Sequence, residues 1–470
     1  MKFISKTGPH IKSKDNTKKI MTRLLIALTP IICFGLFKNI ILVYYYTNTK
    51  ILELLNPLFM ILAGIITSYI SEYLYTRFIQ KKDKKLPFIS YAIMPGLLLS
   101  LILPVNTPIW IVVFGAFCAT IIGKMIFGGL GQNIFNPALV GYLLISVSYS
   151  SKLGNILNNY ELDTIGGATP LSNLANLGYI GGYDSIVGTY GNLFNFMSGT
   201  IPGMIGEVSK ILIIIAFIYL ALTKTIKWRI PLMYISTVFI ITMIIGYSFD
   251  LGVWYPLFHI LSGGLLFGAV FMATDPVTSP ITTKGQIFYG ICLGLLTVSL
   301  RFLTSYPEGV MTSILFMNLL VFMFDKIGVK MMYNKKIKFI LIFAMLVIFA
   351  GVYFAITNRI ANGNESNNNT EVINTKEEDT TKVYTVTAKG WSLLEADVTV
   401  ENNQIVSIDV TDYSGETKWD KIESADYINQ LIVNQEYIDN LDAVSGATYT
   451  STGLKNIVKQ VLEEVNGNEE

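Results

Sequence analysis

A seven-residue word with the pattern D-x-x-[SG]-G-A-T occurs twice in this chain of 470 residues. One copy opens "DTIGGATPLS" (163–172) and the other opens "DAVSGATYTS" (442–451). In each copy a glycine permits a tight turn and a close backbone approach, and a threonine hydroxyl follows among small residues. The C-terminal part of the chain contains no histidine that could activate this threonine as a nucleophile. The word therefore indicates a threonine that accepts a modification.

The ordinary explanation for one such word is a strand-to-helix turn with a capping threonine. Two copies in unrelated surroundings weaken that explanation, because the first lies between apolar segments and the second in a polar C-terminal region. The two copies must also be reached by the same modifying enzyme. We therefore ask where the surrounding elements place them.

The composition is that of a membrane protein. Hydrophobic residues make up 52% of the chain, charged residues only 14%, and the mean hydropathy is +0.50. Soluble domains carry about 25% charged residues, and several apolar stretches here reach the ~20 residues that span a bilayer. The sequence predicts eleven helices, over 22–46, 53–76, 87–104, 107–126, 135–150, 206–223, 230–248, 252–273, 285–304, 309–328 and 338–356.

The distribution of lysine and arginine predicts the orientation of these helices. Basic clusters precede the first helix, occur in "KKDKK" (81–85), flank residue 227 and lie around 330–338. Because basic loops stay in the cytoplasm, we expect a cytoplasmic N-terminus. Eleven crossings then place loop 151–205 and the C-terminal region on the extracytoplasmic side of a bacterial cell membrane, with both copies of the word.

Charge and polarity predict the domain organisation. Residues 357–470 hold 21 Asp and Glu against 8 Lys and Arg, whereas the first 356 hold 12 acids and 27 bases. Such asymmetry indicates separate domains. We predict, in order, a cytoplasmic segment (1–21), a membrane domain of two five-helix repeats (22–330), an anchor helix (331–356), a flexible linker (357–382) and a small α+β domain (383–466).

Within the last domain, "VYTVTAKG" and "EADVTVENNQIVSIDVTDY" alternate apolar and polar residues as strands do, with "NNQ" as a turn. "SADYINQLIVNQEYID" and "STGLKNIVKQVLEEV" have helical patterns, the second with Ser451 or Thr452 as its predicted N-cap.

Two glycine- and proline-rich segments interrupt the predicted helices of the membrane domain. "FGGLGQNIFNPALVG" (127–141) and "FMATDPVTSP" (271–280) each lie near the end of a five-helix half and are typical of broken helices. Non-helical backbone at membrane depth is tolerated only when it is buried in protein or lines a cavity. Because charge within a membrane is costly, Asp250, Asp275 and Glu308 are candidates for an ion path, although interfacial placement explains each one alone.

Several chemistries find no support in the sequence. Three cysteines (Cys33, Cys118, Cys292) lie singly in apolar segments, and only two histidines (His10, His259) occur, so we predict no metal site. A glycine fingerprint for dinucleotides is absent, and the bases form no continuous patch for nucleic acid. The chain therefore needs partners to exchange hydride with a nicotinamide.

The repeated word resembles the recognition sequence of the flavin transferase that esterifies FMN phosphate to threonine. The acceptor in that family maps to Thr448 in one copy and Thr169 in the other, with Gly166 standing where serine or threonine is commoner. The tail, through "DAVSGATYTSTGL", resembles the FMN-binding domain of the Rnf complex G subunit and of the C subunit of sodium-pumping NADH:quinone reductase. The two glycine- and proline-rich segments, with "GPHIKSKDNTKKIM" (8–21) and "SYPEGVMTSILFMNLLVF" (305–322), resemble parts of the Rnf D subunit and of the reductase B subunit. This resemblance covers about 8–330.

This resemblance implies a fused flavin subunit of an ion-translocating ferredoxin:NAD oxidoreductase, coupled to Na⁺ or H⁺. It implies FMN bound covalently at two sites, a noncovalent riboflavin, iron–sulfur subunits as partners and a flavin transferase for maturation, all in a lipid membrane. The implied flavin-site residues are Asp163, Gly167, Ala168, Thr169, Asp442, Ser445, Gly446, Ala447 and Thr448. The chain is not expected to be catalytic alone.

Two other functions remain open. A flavoprotein of a quinone reductase or of extracellular electron transfer would carry the same two words. A channel or transporter is suggested by "NPA" (136–138), but water channels carry two such motifs and this chain has one. Neighbouring genes would separate the first alternative from the Rnf type, because the latter requires iron–sulfur partners.

Overall fold

The computed structural model describes most of the chain in two compact units, Met1–Thr357 and Asn358–Glu470. The described residues are 16–44, 54–81, 90–149, 170–176, 178–201, 203–304, 309–368, 371–378, 381–389, 393–401, 403–413, 419–435, 438, 441, 444 and 447–467.

The first unit is helical. Its α-helices, in chain order, are α1 (Thr17–Leu36), α2 (Asn56–Leu74), α3 (Met94–Leu101), α4 (Ile109–Thr120), α5 (Pro137–Ser148), α6 (Pro170–Asn176), α7 (Tyr183–Ile186), α8 (Leu193–Ser198), α9 (Lys210–Leu222), α10 (Arg229–Ser248), α11 (Trp254–Leu261), α12 (Leu265–Phe267), α13 (Thr283–Leu303), α14 (Val310–Leu319), α15 (Val321–Tyr333) and α16 (Lys335–Asn368). Four of them continue as π-helical turns over Phe37–Leu42, Tyr75–Ile79, Ile121–Met125 and Gly268–Met272.

The helices differ in length from the eleven spans that the sequence predicts. In the described part of the chain, five helices are long and apolar enough to cross a bilayer, or up to seven if each bent pair counts as one span. The bent pairs turn by 63° between α11 and α12 and by 67° between α14 and α15. The segment predicted over 87–104 contains α3, whose 8 residues are too few to cross alone. The membrane class is confirmed, but interruptions shorten several helices.

Small residues allow close packing in the first half of this unit. Gly64 of α2 and Gly96 of α3 face each other so closely that a Cβ on Gly64 would meet the Gly96 carbonyl oxygen at 2.6 Å. Ser100 donates from its hydroxyl to the Met60 carbonyl across the same contact (3.0 Å). Packing through small residues is typical of membrane helices, because lipid provides no hydrophobic force to hold them together.

The second unit is an α+β domain. Its four-stranded antiparallel sheet has the order β1 (Glu371–Glu378), β2 (Thr381–Lys389), β3 (Leu393–Glu401) and β4 (Gln404–Asp412). Helices α17 (Trp419–Ser424), α18 (Tyr427–Val433) and α19 (Thr448–Gly467) complete it. Val386 and Val398 of the sheet are fully buried with Ile457 of α19. The prediction of alternating strands is therefore confirmed.

Two details of this region differ from the sequence predictions. Regular structure occupies much of 357–382, which we predicted as a flexible linker: α16 runs to Asn368 and β1 pairs with β2 from Glu371. An edge strand needs only backbone hydrogen bonds to its neighbour, so its polar sequence gave little signal. Helix α19 begins at Thr448, so Ser451 lies inside the helix and is not its N-cap.

Candidate functional site

Each half of the membrane unit contains an interrupted helix. In the first half, the π-helical turn Ile121–Met125 leads into a loop in which Gly128, Gly129 and Gly131 have φ of 116°, 104° and 94°. Only glycine adopts these angles without strain, which explains the glycine-rich word. The loop ends at Asn136, whose side chain caps α5 by accepting from the Ala138 amide (3.1 Å).

The second interrupted helix has the same plan. The π-helical turn Gly268–Met272 is followed by loop 273–282 and then by α13. Asp275 organises this loop: its carboxylate accepts from the Thr278 hydroxyl (3.0 Å), and its carbonyl accepts from the Ser279 hydroxyl (2.7 Å). π-helical turns are concentrated at functional sites. Their position before both loops therefore marks this region as a candidate functional site.

The two interruptions are joined by paired asparagines. Asn318 of α14 accepts from the Asn136 amide with its Oδ1 (3.0 Å) and donates from its Nδ2 to the Thr278 carbonyl (3.0 Å). Asn136 in turn donates from its Nδ2 to the Met272 carbonyl (3.4 Å). Asn318 is only 3% exposed. Sequence reasoning missed it, although a single amide in the apolar "SILFMNLLVF" was an available signal.

A buried ion pair lies next to the first interruption. Lys124 donates to the Glu72 carboxylate at 2.7 Å, and each residue is 1% exposed. Lys124 also donates to the Ser90 carbonyl (3.1 Å), and the Ser90 hydroxyl donates to Glu72. Neither charged residue was singled out from the sequence, although a charge inside an apolar helix is a functional signal by itself.

A cavity of about 60 Å³ connects these features. Its lining includes Lys124, Asn133, Asn136 and Asp275, together with Tyr91. That volume accommodates a few water molecules, and the lining offers them one cation, one carboxylate and two amides. The structure thus places Asp275 and Lys124, one partner of the buried ion pair, on the wall of the same cavity.

The loops outside the membrane-spanning helices carry further charge. Lys227 donates to the Ser279 carbonyl (3.1 Å) and hydroxyl (2.9 Å), which links it to the Asp275 loop. Burial lowers the pKa of Lys227, and the negative charges of Asp325 and Asp275 oppose that shift. Glu308 lies outside the described residues, and Asp250 is exposed after α10.

The second unit positions the C-terminal copy of the word. Thr448 is the first residue of α19, and Ala447 before it is only 4% exposed. The Ser451 hydroxyl accepts from the Val444 amide (3.0 Å) and donates to the Ala447 carbonyl (2.9 Å). Lys455, one turn further, donates to the Leu441 carbonyl. The chain before Thr448 is therefore tied at two points to the helix that begins there.

The start of α19 offers a setting that fits an FMN phosphate. The helix dipole favours negative charge at the N-terminus of a helix. Asp442, Ser445 and Gly446 lie outside the described residues, as do Asp163, Gly167, Ala168 and Thr169 of the other copy. Their roles stay predictions.

These features define a class: a polytopic membrane protein with two interrupted helices, joined in one chain to a small flavin-binding α+β domain. Residues 4–338 match the model of the NQR2, RnfD, RnfE family, and residues 390–463 match that of the FMN-binding domain. The chain belongs to the NQR2, RnfD, RnfE family and carries an FMN-binding domain after it.

Curated relatives agree with this assignment. The chain is 38% identical over 332 residues to the D subunit of the proton-translocating ferredoxin:NAD(+) oxidoreductase complex of Clostridium ljungdahlii, covering 69% of this chain and 94% of that protein. It is 36% identical over 319 residues to the D subunit of the Na(+)-translocating ferredoxin:NAD(+) oxidoreductase complex of Acetobacterium woodii, covering 66% and 89%. The B subunit of the Na(+)-translocating NADH-quinone reductase of Yersinia pestis is 36% identical over 251 residues, covering 50% and 58%.

Proposed function

We propose that this chain is the flavin-carrying subunit of an ion-translocating ferredoxin:NAD oxidoreductase complex. The observation that carries the proposal is the presence of both domains, at 4–338 and 390–463, in a single chain. The two relatives from ferredoxin complexes are 38% and 36% identical to this chain over 94% and 89% of their length, whereas a quinone-reductase B subunit that is matched over 85% of its length is 30% identical. That difference favours a ferredoxin complex over a quinone reductase.

Covalent FMN on Thr448 and Thr169 is the finer part of the proposal. The repeated word supports both positions, and the location of Thr448 at the start of α19 supports the first. FMN supplies one- and two-electron transfer when bound. The chain's own contribution is to hold the phosphate: the helix dipole at the start of α19 favours an anion there, and Ser451 and Lys455 fix the preceding segment against the helix.

The membrane unit would contribute the ion-binding part. The cavity at Lys124 and Asp275, with Asn136 joining the two interruptions, offers fixed polar groups inside the membrane unit. Glu308 stays a predicted member of this path. Iron–sulfur subunits, a flavin transferase and a noncovalent riboflavin complete the proposed assembly, and this chain would not act without them.

Mass spectrometry of the full chain, coexpressed with a flavin transferase, tests the flavin assignment. Each phosphoester should add about 438 Da, the mass of FMN less water. Thr448→Val and Thr169→Val should each remove one adduct, whereas Thr452→Val and Thr164→Val, which keep the word intact, should remove neither. If no adduct formed although the coexpressed transferase was demonstrably active, covalent flavin would be refuted and transport would be favoured as the function.

Activity assays test the type of complex separately from the role of the flavin on Thr448. In inverted membrane vesicles containing the assembled complex, Thr448→Val should abolish NAD⁺ reduction by reduced ferredoxin while the complex remains assembled. If that variant lost its adduct but kept full ferredoxin:NAD activity, the flavin on Thr448 would lie outside the electron path. Activity with quinone but not with NAD⁺ in the native complex would favour the reductase alternative.

The proposed orientation places the C-terminal domain outside the cell membrane and the N-terminus inside. A membrane-impermeant thiol reagent on whole cells should label Ser424→Cys in a cysteine-free background, because Ser424 is exposed on the second unit. Lys81→Cys, in a predicted cytoplasmic cluster, should be labelled only after lysis. Labelling of Lys81→Cys in intact cells would show that the topology is the reverse of the proposed one.

A further inference from the structure

An apolar groove lies between α13, α15 and α16 on the outside of the membrane unit. It encloses about 360 Å³, within the size range of ligand sites. All of its lining residues are apolar except Lys284, which lies at one end. No residue lines both this groove and the cavity at Asp275.

One wall is a single face of α13. Lys284, Ile287, Phe288, Ile291 and Leu295 line the groove, at a spacing that places them on one side of the helix. From Lys284 to Leu295 the helix rises about 17 Å. The hydrocarbon core of a bilayer is about 30 Å thick. The groove therefore extends through roughly one leaflet, from a charged end towards the bilayer centre.

The opposite wall is a face of α16. Leu341, Ile342, Met345, Leu346 and Phe349 line it, again on one side of a helix. Only 6% of an 18-residue window within 339–360 is buried, so this helix packs loosely against the rest of the unit. The Met345 sulfur lies 4.0 Å from the Cys292 sulfur, yet the space beside them stays open. An empty apolar space would forfeit dispersion contacts, so in a membrane hydrocarbon fills it.

The charged end is basic. Gly328 of α15 packs on Gly285 of α13, where an added Cβ would meet the Gly285 amide nitrogen at 2.7 Å, so the end of α15 lies beside Lys284. That end of α15 adds the exposed Lys330. The nearby acid, Asp325, is already engaged by the backbone amides of 281 and 282 at 2.9 and 2.8 Å. An anionic group would therefore meet net positive charge.

We propose that this groove is a binding site for an anionic phospholipid, with one acyl chain between α13 and α16 and the phosphate at Lys284. Length, apolarity and the single basic end fit that ligand class. A quinone fits less well, because the groove offers its carbonyls no polar partner away from Lys284. The site goes beyond the proposed redox function and does not depend on flavin.

Native mass spectrometry of the purified full chain tests the site. The chain is stripped of lipid in detergent and then exposed to equal amounts of phosphatidylglycerol and phosphatidylcholine. Each native chain should retain about one phosphatidylglycerol molecule in preference to phosphatidylcholine. Lys284→Ala should lower that preference about fivefold, the effect of one cation near the membrane surface, whereas Lys224→Ala, another exposed lysine, should not change it.

Filling the groove should remove the lipid. Ile291→Trp and, from the opposite wall, Met345→Trp should each abolish retention of both lipids, while Phe343→Trp, on an α16 residue that is 70% exposed and outside the groove, should not. Gel filtration and the unfolding temperature verify that each variant is folded. One folded plug variant, either Ile291→Trp or Met345→Trp, is sufficient for the test. Equal retention of the two lipids by the native chain, or full retention by a folded plug variant, would overturn the proposal. Stoichiometric recovery of a quinone that Ile291→Trp displaces would overturn it as well.

Discussion

The buried ion pair between Glu72 and Lys124 should make the membrane unit sensitive to single substitutions and tolerant of a double one. The pair is 2.7 Å long and each partner is 1% exposed. Removing one partner of a buried pair leaves an uncompensated charge and costs about 3–5 kcal/mol. We expect the lower end, about 3 kcal/mol, for Glu72→Met and for Lys124→Met, because Ser90 still offers each remaining group one hydrogen bond.

The double variant should regain much of this loss. Replacing both charges with apolar groups of similar size removes the desolvation cost as well as the attraction. What remains is the loss of the hydrogen bonds to Ser90, worth about 2 kcal/mol together. The two single effects would therefore exceed the double effect by about 4 kcal/mol in a double-mutant cycle.

Reversible unfolding in mixed detergent micelles, followed by the signal of the buried aromatic residues, measures these free energies. Asp184→Asn, at an exposed acid in α7, is the control and should change stability by less than about 0.5 kcal/mol. If either single variant matched that control, or if the two single effects simply added, the two charges would not be coupled and their assignment as a buried pair would be wrong.

Three other predictions address packing and the two sites. Gly64→Ala should destabilise the membrane unit by about 2 kcal/mol in the same unfolding assay, because the added methyl would press on α3; Gly351→Ala, with open space around it, should be neutral, and equal effects would contradict the close contact. Asn318→Ala should cost about 3 kcal/mol and reduce ion transport by reconstituted complex, since two buried partners lose their hydrogen bonds; unchanged transport would mean that the asparagine link is not needed for it. Ser451→Ala should lower the melting temperature of the FMN-binding domain and the fraction of chains with an adduct on α19, whereas the exposed Thr452→Val should alter neither; full loading of Ser451→Ala would show that anchoring before the helix is dispensable.

Patterns that repeat within a few residues were predictable from the sequence. The period of two in "VYTVTAKG" and "EADVTVENNQIVSIDVTDY" predicted β2, β3 and β4, and each apolar segment predicted a helix that the structure contains. The bends could not be predicted in the same way. The 63° turn between α11 and α12 falls in the middle of an apolar stretch whose composition resembles a straight span.

Contacts between distant residues were also beyond the sequence. Glu72 and Lys124 are 52 residues apart, and Asn136 and Asn318 are 182 apart. A polar residue in an apolar segment is a signal by itself, but only the tertiary structure shows which residues pair. Asp275, by contrast, was identified because a carboxylate beside two prolines stands out in an apolar domain. The acceptor role of Thr169 and Thr448 rests on the repeated word and stays a prediction.

The continuity of the chain from α16 into β1 has a consequence for assembly. A redox protein built from separate membrane and flavin polypeptides depends on balanced synthesis of both, and it loses its carrier when the two dissociate on dilution. Here one translation product delivers both units in a fixed ratio of one to one. Encounter between them is intramolecular and independent of protein concentration. Purification at low protein concentration should therefore never separate the FMN-binding domain from the membrane unit unless the chain is cleaved.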